Sequence, residues 1–318
     1  MTSLAYEKNI KTEIPVVQKE KFNGADFTYL KWPASSTNSN GSDDTTTTTK
    51  CRVIIVHGFC EYYKLYYKLM DRLAQNGVES FIFDQRGAGE TSPGKEKGNT
   101  DETRTFQDLD HFIEKNLKEC EALGNRKLFL FGHSMGGGIV LNYGCSGKYR
   151  SKIAGIMTTG PLIELHPKSN PMYIVRKLSP VLAAVLPNFK IDTGLNVEGI
   201  TGSKENQELL KKDPNLKLVG SFRQIYDMLE RGKRLLSDPV RAEGFRTPVL
   251  IMHGEQDTIN DPKASEKFIR DRLPHLQDKT LKIYHDARHS LLSLERDEYF
   301  DQAFGDMIQW IDVHTITE

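Results

Sequence analysis

Apolar runs of strand length recur along most of the chain, and stretches with apolar residues at helical spacing lie between them. Uninterrupted runs of this kind are typical of strands that are covered on both faces of a sheet. They lie at 52–58, 78–84, 128–131, 153–159, 247–253 and 280–284. The helical stretches lie at 62–75, 106–120, directly after residue 134, at about 263–273 and at about 297–313. This alternation predicts an α/β fold with a mostly parallel central sheet and helices on both faces.

The pattern differs before residue 51. Val16–Val17 and residues 25–32 predict two strands, and Asn23–Gly24 between them is a hairpin signal. Residues 1–15 are polar, and we expect them to be poorly ordered. Residues 35–50 form a tract of Ser, Thr, Asn and Asp that cannot bury apolar surface, so we expect a flexible surface loop there.

One strand-to-helix junction carries a chemical pattern. Gly132-His-Ser134-Met-Gly136 stands between an apolar strand and an apolar helix, which is the context of the G-x-S-x-G nucleophile elbow. A serine on so tight a turn has a strained backbone, and glycines two residues to either side let strand and helix approach. The free N–H groups at the helix start would face an oxyanion formed at the serine. The pattern predicts a nucleophile at Ser134; the alternative is a plain glycine-rich turn.

A serine hydroxyl needs a base, and the base needs a third group that holds it. In an α/β-hydrolase the base is a histidine after the last strand of the sheet. Of nine histidines, His289 and His285 lie in that loop, and we favour His289 because it is far enough past the strand to reach over the sheet edge. Ordinary packing or hydrogen bonding accounts for the histidines in or at strand ends, which are His57, His133 and His253. No partner is suggested for the others, which are His111, His166, His275 and His314.

The acid of such a triad should follow the preceding strand. Asp257 lies in the loop after the strand at 247–253, with Glu255 and Asp261 as nearby alternatives. Asp84 also ends a strand, but it precedes the serine and does not fit the chain order Ser, acid, His. We therefore predict Asp257 as the acid.

Acyl transfer also needs hydrogen-bond donors for the tetrahedral oxyanion. The elbow supplies the N–H of Met135, one residue past the serine, and the loop after the strand at 52–58 supplies that of Phe59. The neighbouring Glu61 has two open roles, which are to bind a polar group of a substrate or to cap the next helix.

The strand rhythm stops between residues 162 and 244, where helical stretches remain. One of them, 173–186, contains Pro180, which predicts a kink or a split into two helices. Its apolar face is formed by Ile174, Leu178, Val181, Leu182 and Val185. Two compatible hypotheses stay open: a helix packed on its own domain, or a cap that roofs an acyl pocket and touches a lipid surface. We expect a core in two parts, 1–161 and 245–318, with an inserted helical cap at 162–244.

Two other motifs are incomplete. Gly89 to Lys95 follows a strand and resembles a phosphate-binding loop, but Glu96 stands where a Ser or Thr must bind magnesium, and Pro93 removes a backbone donor. The stretch after Gly132 also lacks the second glycine of a dinucleotide-binding loop. We therefore interpret both stretches as ordinary βα turns and expect no metal site in them.

Composition narrows the picture further. The 318 residues include 43 Lys and Arg and 43 Asp and Glu, and this zero net charge argues against a nucleic-acid binder. Hydrophobic content of 38% is enough for a sizeable core. The four cysteines have no C-x-x-C spacing and no apolar leader precedes them, so we expect reduced thiols in a cytoplasmic protein. No apolar run approaches the roughly 18 residues that a membrane span needs.

Several motifs in the same order resemble those of the monoacylglycerol lipases, and especially the fungal members of that family. They are 57–61 (His-Gly-Phe-Cys-Glu), 83–89, 132–137, 278–284 and 287–289 (Ala-Arg-His), and the cap is similar at 186–195. The resemblance implies a cofactor-free serine hydrolase that cleaves monoacylglycerol to fatty acid and glycerol, with a mobile cap and an acyl tunnel. It also implies that Ser134, Asp257 and His289 form the triad, that Phe59 and Met135 bind the oxyanion, and that the protein visits lipid droplets or membranes.

The chain departs from the family at three positions. Cys60 replaces the second glycine of the His-Gly-x-Gly-Glu motif, and its Cβ could shift the loop if that position needs a positive φ. Leu292 and Leu65 stand where the mammalian enzyme has a histidine and an arginine. A carboxylesterase or lysophospholipase with the same triad and a non-catalytic lipid carrier are the alternative functions. An epoxide hydrolase or dehalogenase would need a carboxylate in place of Ser134.

Overall fold

A computed structural model of the protein describes residues 6–35, 49–169 and 180–316. Within these ranges an eight-stranded sheet of order β1-β2-β4-β3-β5-β6-β9-β10 forms the centre of the molecule, and β7 and β8 form a separate pair. The strands are β1 (Gln18–Phe22), β2 (Ala25–Trp32), β3 (Cys51–Val56), β4 (Val78–Phe83), β5 (Lys127–His133), β6 (Gly155–Thr159), β7 (Lys190–Asp192), β8 (Val219–Ser221), β9 (Val249–Gly254) and β10 (Lys279–Tyr284).

The sheet is mostly parallel, as the alternation of strands and helices predicts. The pairs β1–β2 and β2–β4 are antiparallel, and every other neighbouring pair in the large sheet is parallel. The carboxyl ends of the six parallel strands therefore share one edge, and the loops that leave β3, β5, β9 and β10 meet there. These are the loops that carry the predicted chemistry.

Helices cover both faces of the sheet. They are α1 (Tyr67–Gln75), α2 (Glu102–Ala122), α3 (Met135–Ser146), α4 (Val197–Ile200), α5 (Lys204–Lys212), α6 (Phe222–Ser237), α7 (Pro239–Ala242), α8 (Pro262–Lys267) and α9 (Asp297–Thr315). Alternate residues of β3 point to opposite faces: Val53 and Ile55 join one apolar cluster with α1 and α9, and Ile54 and Val56 join another with α2, α3 and α8. Both clusters are buried, so the continuous apolar pattern of the central strands follows from this layering.

The amino-terminal hairpin forms where the sequence predicts it, but its first strand is displaced. Asn23 and Gly24 both have positive φ, at 45° and 78°, as the two-residue hairpin turn requires. That turn pairs Phe22 with Ala25 and Gln18 with Tyr29. The prediction of a strand at Val16–Val17 was wrong, since β1 begins at Gln18 and Val16 is 83% exposed.

The segment 162–244 contains both predicted and unpredicted elements. It holds α4 to α7 and a helical stretch at residues 180–185, and it also holds the short antiparallel pair β7–β8. The sequence pattern did not predict this short strand pair, which stands apart from the large sheet. After this segment the chain returns to the large sheet, because β9 pairs with β6. Residues 173–179 of the predicted helix, like most of the predicted loop at 35–50, lie outside the described residues.

In the parts of the chain that the structure describes, no helix combines the length and the apolar content needed to cross a bilayer.

Candidate active site

The elbow has the geometry that its glycines predict. Ser134 lies between β5 and α3 with φ 54° and ψ −117°, a conformation that a residue with a side chain rarely adopts. A Cβ on Gly132 would lie 2.4 Å from the Gly136 carbonyl oxygen, and one on Gly136 would lie 2.0 Å from that of Val56. Both glycines are therefore required for the strand, the turn and the helix to come this close.

The predicted acid and base are in contact although they are 32 residues apart. His289 Nδ1 lies 2.6 Å from Asp257 Oδ2, and both side chains are buried. The other carboxylate oxygen accepts the main-chain N–H groups of Ile259 and Asn260 at 2.8 and 3.0 Å. Burial alone would raise the pKa of Asp257, but the attraction of His289 and the hydrogen bonds from His253 and His289 outweigh it and hold that pKa well below its usual range. The acid is thus a carboxylate at neutral pH.

The alternatives for these two roles have other partners. The His285 side chain is 84% exposed, and its Nδ1 lies 3.1 Å from Glu255 Oε2. The alternative base and one alternative acid therefore pair with each other at the surface. Asp261 caps α8 by accepting the N–H of Lys263. Asp84 is fully buried and accepts the N–H groups of Tyr63 and Glu90. None of the four has a hydrogen bond to the elbow among the contacts of the described residues.

The serine and the histidine lie on adjacent segments. The N–H of Ser134 donates to the carbonyl of Thr159 at 3.0 Å, and a Cβ on the next residue, Gly160, would lie 3.0 Å from His289 Nδ1. Among the contacts described, however, the Ser134 hydroxyl has no hydrogen bond to the His289 ring. Catalytic hydrogen bonds are often long or poorly aligned before substrate binds. The arrangement brings the two side chains to one edge of the sheet but leaves their hydrogen bond open.

The two predicted oxyanion donors are unpaired. In the described residues, the N–H groups of Phe59 and Met135 donate to no acceptor, and Met135 is the first residue of α3, where helical N–H groups lack an internal partner. The close approach of Gly136 to Val56 and His57 packs the start of α3 against the end of β3. Two free amides therefore flank the elbow at the same sheet edge.

Cys60 has φ 59°, so this position does adopt the left-handed conformation that favours glycine. Its Sγ donates to the carbonyl of Val219 in β8 at 3.3 Å, and the side chain is buried. Burial raises the pKa of the Cys60 thiol to about 12, so it is a thiol at neutral pH. The loop accommodates the extra Cβ by packing it beneath β8.

Glu61 stabilises its own loop, a role that the sequence did not indicate. Its Oε2 accepts the N–H of Gly58 at 2.7 Å and the hydroxyl of Tyr66 at 2.6 Å, while Oε1 lies 3.6 Å from His133 Nε2. The short helix that follows has no side-chain cap, so the capping alternative was wrong. The carboxylate holds together the loop that carries the Phe59 amide.

The sequence assigns His133 and His253 to ordinary packing or hydrogen bonding. Both are buried, and they contact His289 and Asp257 respectively. The His133 ring centroid lies 4.7 Å from that of His289, and burial lowers the pKa of His133 to about 4. His253 Nε2 lies 3.0 Å from the same Asp257 oxygen that contacts His289. The one signal for His253 in the sequence is its place at the end of the strand that precedes Asp257.

Comparisons with known proteins show the family of the chain. A family model described as "Serine aminopeptidase, S33" matches residues 47–297. The monoglyceride lipase of Saccharomyces cerevisiae is 50% identical over 318 residues, which cover 98% of each chain. The chain belongs to the monoglyceride lipase family. A crystal structure of a soluble variant of the yeast monoglyceride lipase, in complex with a substrate analog, superposes with a TM-score of 0.90 at 49% identity and covers 98% of this chain and 99% of that one.

Membership of the monoglyceride lipase family confirms the predicted α/β-hydrolase fold. More distant structures share that fold, such as the monoacylglycerol lipase of Paleococcus ferrophilus, with a TM-score of 0.74 at 24% identity over 91% of this chain and 99% of that one. Within the described ranges, no group of three or more His, Cys, Asp or Glu side chains is arranged to hold a metal ion.

Proposed function

We propose that this protein is a serine hydrolase that cleaves the ester bond of monoacylglycerols to fatty acid and glycerol through an acyl-enzyme. The observation that carries the proposal is the 2.6 Å contact between His289 and Asp257 next to an elbow serine, in a chain 50% identical to a monoglyceride lipase. Ser134 is the nucleophile, His289 the base and Asp257 the acid.

The reaction proceeds in two halves. Because Asp257 accepts a hydrogen bond from His289 Nδ1–H, the neutral ring presents Nε2 as a base. His289 takes the proton of Ser134 as the hydroxyl oxygen attacks the ester carbonyl, and it returns that proton to the leaving glycerol oxygen. Water then enters, loses a proton to His289 and attacks the acyl-serine, and His289 returns that proton to the serine oxygen as the fatty acid leaves.

Charge on the carbonyl oxygen develops in both tetrahedral intermediates. Among the contacts of the described residues, the N–H groups of Phe59 and Met135 donate to no protein acceptor, so both can donate to that oxygen. Such donors typically contribute about 3 kcal/mol each. Glu61 supports them by holding the Gly58 end of the loop, and its Oε1 is the carboxylate atom left for a hydroxyl of the glycerol head group.

The segment 162–244 serves as the cap in this proposal. Four large apolar side chains near its start are exposed, at 49–70%, which are Val181, Val185, Leu186 and Phe189. Apolar surface of this kind is costly in water but favourable against acyl chains. The cap therefore contacts a lipid droplet or a membrane from which the substrate enters, and the protein associates with it peripherally.

Replacing the nucleophile tests the proposal directly. We expect Ser134→Ala to fold normally and to lose hydrolysis of 1-oleoylglycerol by roughly three orders of magnitude or more, because the other groups act only through the serine. It should also lose labelling by a fluorophosphonate probe. Unchanged turnover would refute the assignment. Faster hydrolysis of an oleoyl lysophospholipid than of 1-oleoylglycerol would favour the lysophospholipase alternative instead.

A further inference from the structure

Two imidazole rings contact one oxygen of the predicted catalytic acid. Asp257 Oδ2 lies 2.6 Å from His289 Nδ1 and 3.0 Å from His253 Nε2. Oδ1 accepts the N–H groups of Ile259 and Asn260. The buried carboxylate thus has four donors, which fills its hydrogen-bonding capacity.

The second ring is itself held in place. His253 is fully buried at the end of β9, and its Nδ1 lies 2.9 Å from the hydroxyl oxygen of Ser265 in α8, which is also fully buried. A ring nitrogen that faces a carboxylate must carry a proton, so the neutral ring has its hydrogen on Nε2. Nδ1 is then an acceptor, and Ser265 donates to it.

We propose that His253 is a positioning residue of the active site, whose Nε2–H fixes the Asp257 carboxylate in the orientation that serves His289. The chain Ser265–His253–Asp257–His289 then runs from α8 to the elbow. This inference rests on the proposed function, because it assigns His253 a role only if Asp257 serves His289 in catalysis.

Two consequences follow for the reaction. Without His253, one lone pair of the buried carboxylate loses its partner, and Oδ2 is held by His289 alone, so the carboxylate is less firmly fixed in the geometry that His289 needs. The remaining hydrogen bond to His289 also becomes stronger, because Oδ2 no longer shares its charge with a second donor. The titratable groups that face this cluster are His253, His289 and, across the elbow, His133.

The test compares His253→Leu with His253→Gln. Glutamine carries an amide nitrogen that can reach the place of Nε2, and leucine keeps the volume without a donor. We expect kcat for p-nitrophenyl butyrate to fall about tenfold in His253→Leu, the scale of a lost buried hydrogen bond, and to fall less than about threefold in His253→Gln. The acid limb of kcat/KM against pH should move to higher pH in His253→Leu but not in His253→Gln, because the protonated base is better stabilised when the second donor is lost.

Further variants keep the test decisive if His253→Leu does not fold. Ser265→Ala leaves His253 in place but removes the donor that sets its tautomer, so we expect the same shift of the acid limb with a smaller loss of kcat. His275→Leu is the matched control, since His275 hydrogen bonds to the main-chain oxygen of Phe245, and it should leave both readouts unchanged.

The outcomes separate this inference from the function on which it rests. If Asp257→Asn abolishes hydrolysis while the two His253 variants and Ser265→Ala keep the wild-type kcat and pH profile, the positioning role is refuted and the triad stands. If His253→Gln is as slow as His253→Leu, the donor on Nε2 is not what matters, and the role is also refuted. If the wild-type protein hydrolyses neither p-nitrophenyl butyrate nor 1-oleoylglycerol, the proposed function fails first.

Discussion

At the scale of single residues, the loop beside the elbow places a cysteine at a backbone conformation that favours glycine. A side chain at φ 59° costs about 1 kcal/mol relative to glycine, because the Cβ crowds the following carbonyl. The hydrogen bond from Cys60 to Val219 in β8 offsets part of that cost. This residue therefore connects the loop that carries the Phe59 amide to the segment proposed as the cap.

Substitutions at Cys60 should separate backbone strain from packing. We expect Cys60→Gly to keep the unfolding free energy within about 1 kcal/mol of wild type, and Cys60→Val to lower it by about 2 kcal/mol because a β-branched side chain fits a positive φ poorly. Cys60→Val should also lower kcat, since it disturbs the neighbouring Phe59 amide. Urea denaturation and ester hydrolysis measure the two effects. Cys120→Val, in the helical backbone of α2, is the control, and an equal effect there would contradict the argument.

His133 should make stability depend on pH. Its pKa is about 4 in the folded protein, because burial disfavours the charged ring, and 6.5 is its ordinary value in an unfolded chain. The unfolded chain therefore binds the extra proton first, so the stabilisation is complete above pH 6.5 and is lost as the pH falls towards 4. Between pH 7.5 and 4.5 we expect wild type to lose about 2 to 3 kcal/mol more than His133→Gln in urea denaturation.

Comparing wild type with His133→Gln removes the contributions of titratable groups that both proteins share. Burial raises the pKa of Asp84 to about 7, and a raised pKa acts in the opposite direction, since that contribution is lost as the pH rises through 7. Asp84 is present in both proteins. If wild type and His133→Gln lose the same stability on acidification, the ring of His133 does not stay neutral in the folded state.

At the scale of elements, the loop after β4 packs against β8. Gly98 has φ 80°, and a Cβ there would lie 2.8 Å from the main-chain nitrogen of Ser221, whose hydroxyl donates to the Gly98 carbonyl at 2.7 Å. The incomplete phosphate-loop pattern that precedes it is thus an ordinary βα connection, in which Gly89 serves packing because a Cβ there would lie 2.1 Å from Asp84 Oδ2. Gly94 in the same loop also has positive φ, at 59°, but its Cβ position is open.

These two glycines form a matched pair. Gly94→Ala should lower the unfolding free energy by about 1 kcal/mol, the cost of a Cβ at positive φ alone. Gly98→Ala adds a clash with the backbone of β8, so we expect a loss of about 3 kcal/mol. Urea denaturation of both variants measures the difference. Equal losses would mean that the contact between this loop and β8 adapts without cost.

At the scale of the whole molecule, the segment 162–244 is tied to the core by buried charges as well as by apolar packing. The guanidinium of Arg231 in α6 is buried and donates to the Glu102 carboxylate at the start of α2, at 2.6 and 2.9 Å. Asp227, also in α6, accepts the N–H of Glu102. Firm attachment at α6 contrasts with the exposed apolar side chains between residues 181 and 189, so one end of the segment is anchored and the other faces outward.

The outward-facing side chains should govern contact with lipid. We expect the double variant Val185→Asp, Phe189→Asp to bind vesicles of phosphatidylcholine with 1-oleoylglycerol at least about fivefold more weakly, because charged groups resist entry into the acyl region. Hydrolysis of the soluble ester p-nitrophenyl butyrate should stay within about twofold of wild type. Vesicle co-sedimentation and ester assays measure these effects. Val240→Asp, at a position that is 76% exposed in α7, is the control. Equal binding by both variants would contradict a role of this surface.

Patterns between near neighbours in the chain were enough to predict much of this protein. The alternation of apolar runs predicted the parallel sheet, and the glycines around Ser134 predicted the elbow, because side-chain period and turn sterics act over a few residues. The order of loops along the chain identified Asp257 and His289 as partners, since parallel strands bring their carboxyl ends to one edge. The start of β1 and the β7–β8 pair escaped prediction, because short edge strands depend on which neighbour is available to pair.

Only the tertiary structure decided between groups that the sequence treats alike. His285 and His289 share one loop, but only His289 is turned inward to Asp257, and His253 proved to face the same carboxylate from β9. Likewise Glu61 folds back onto its own loop and Cys60 packs beneath β8. The sequence by itself determined which residues reach the sheet edge, because that follows from local periodicity. Which of them touch there was decided by contacts between distant segments, and no local pattern encodes those contacts.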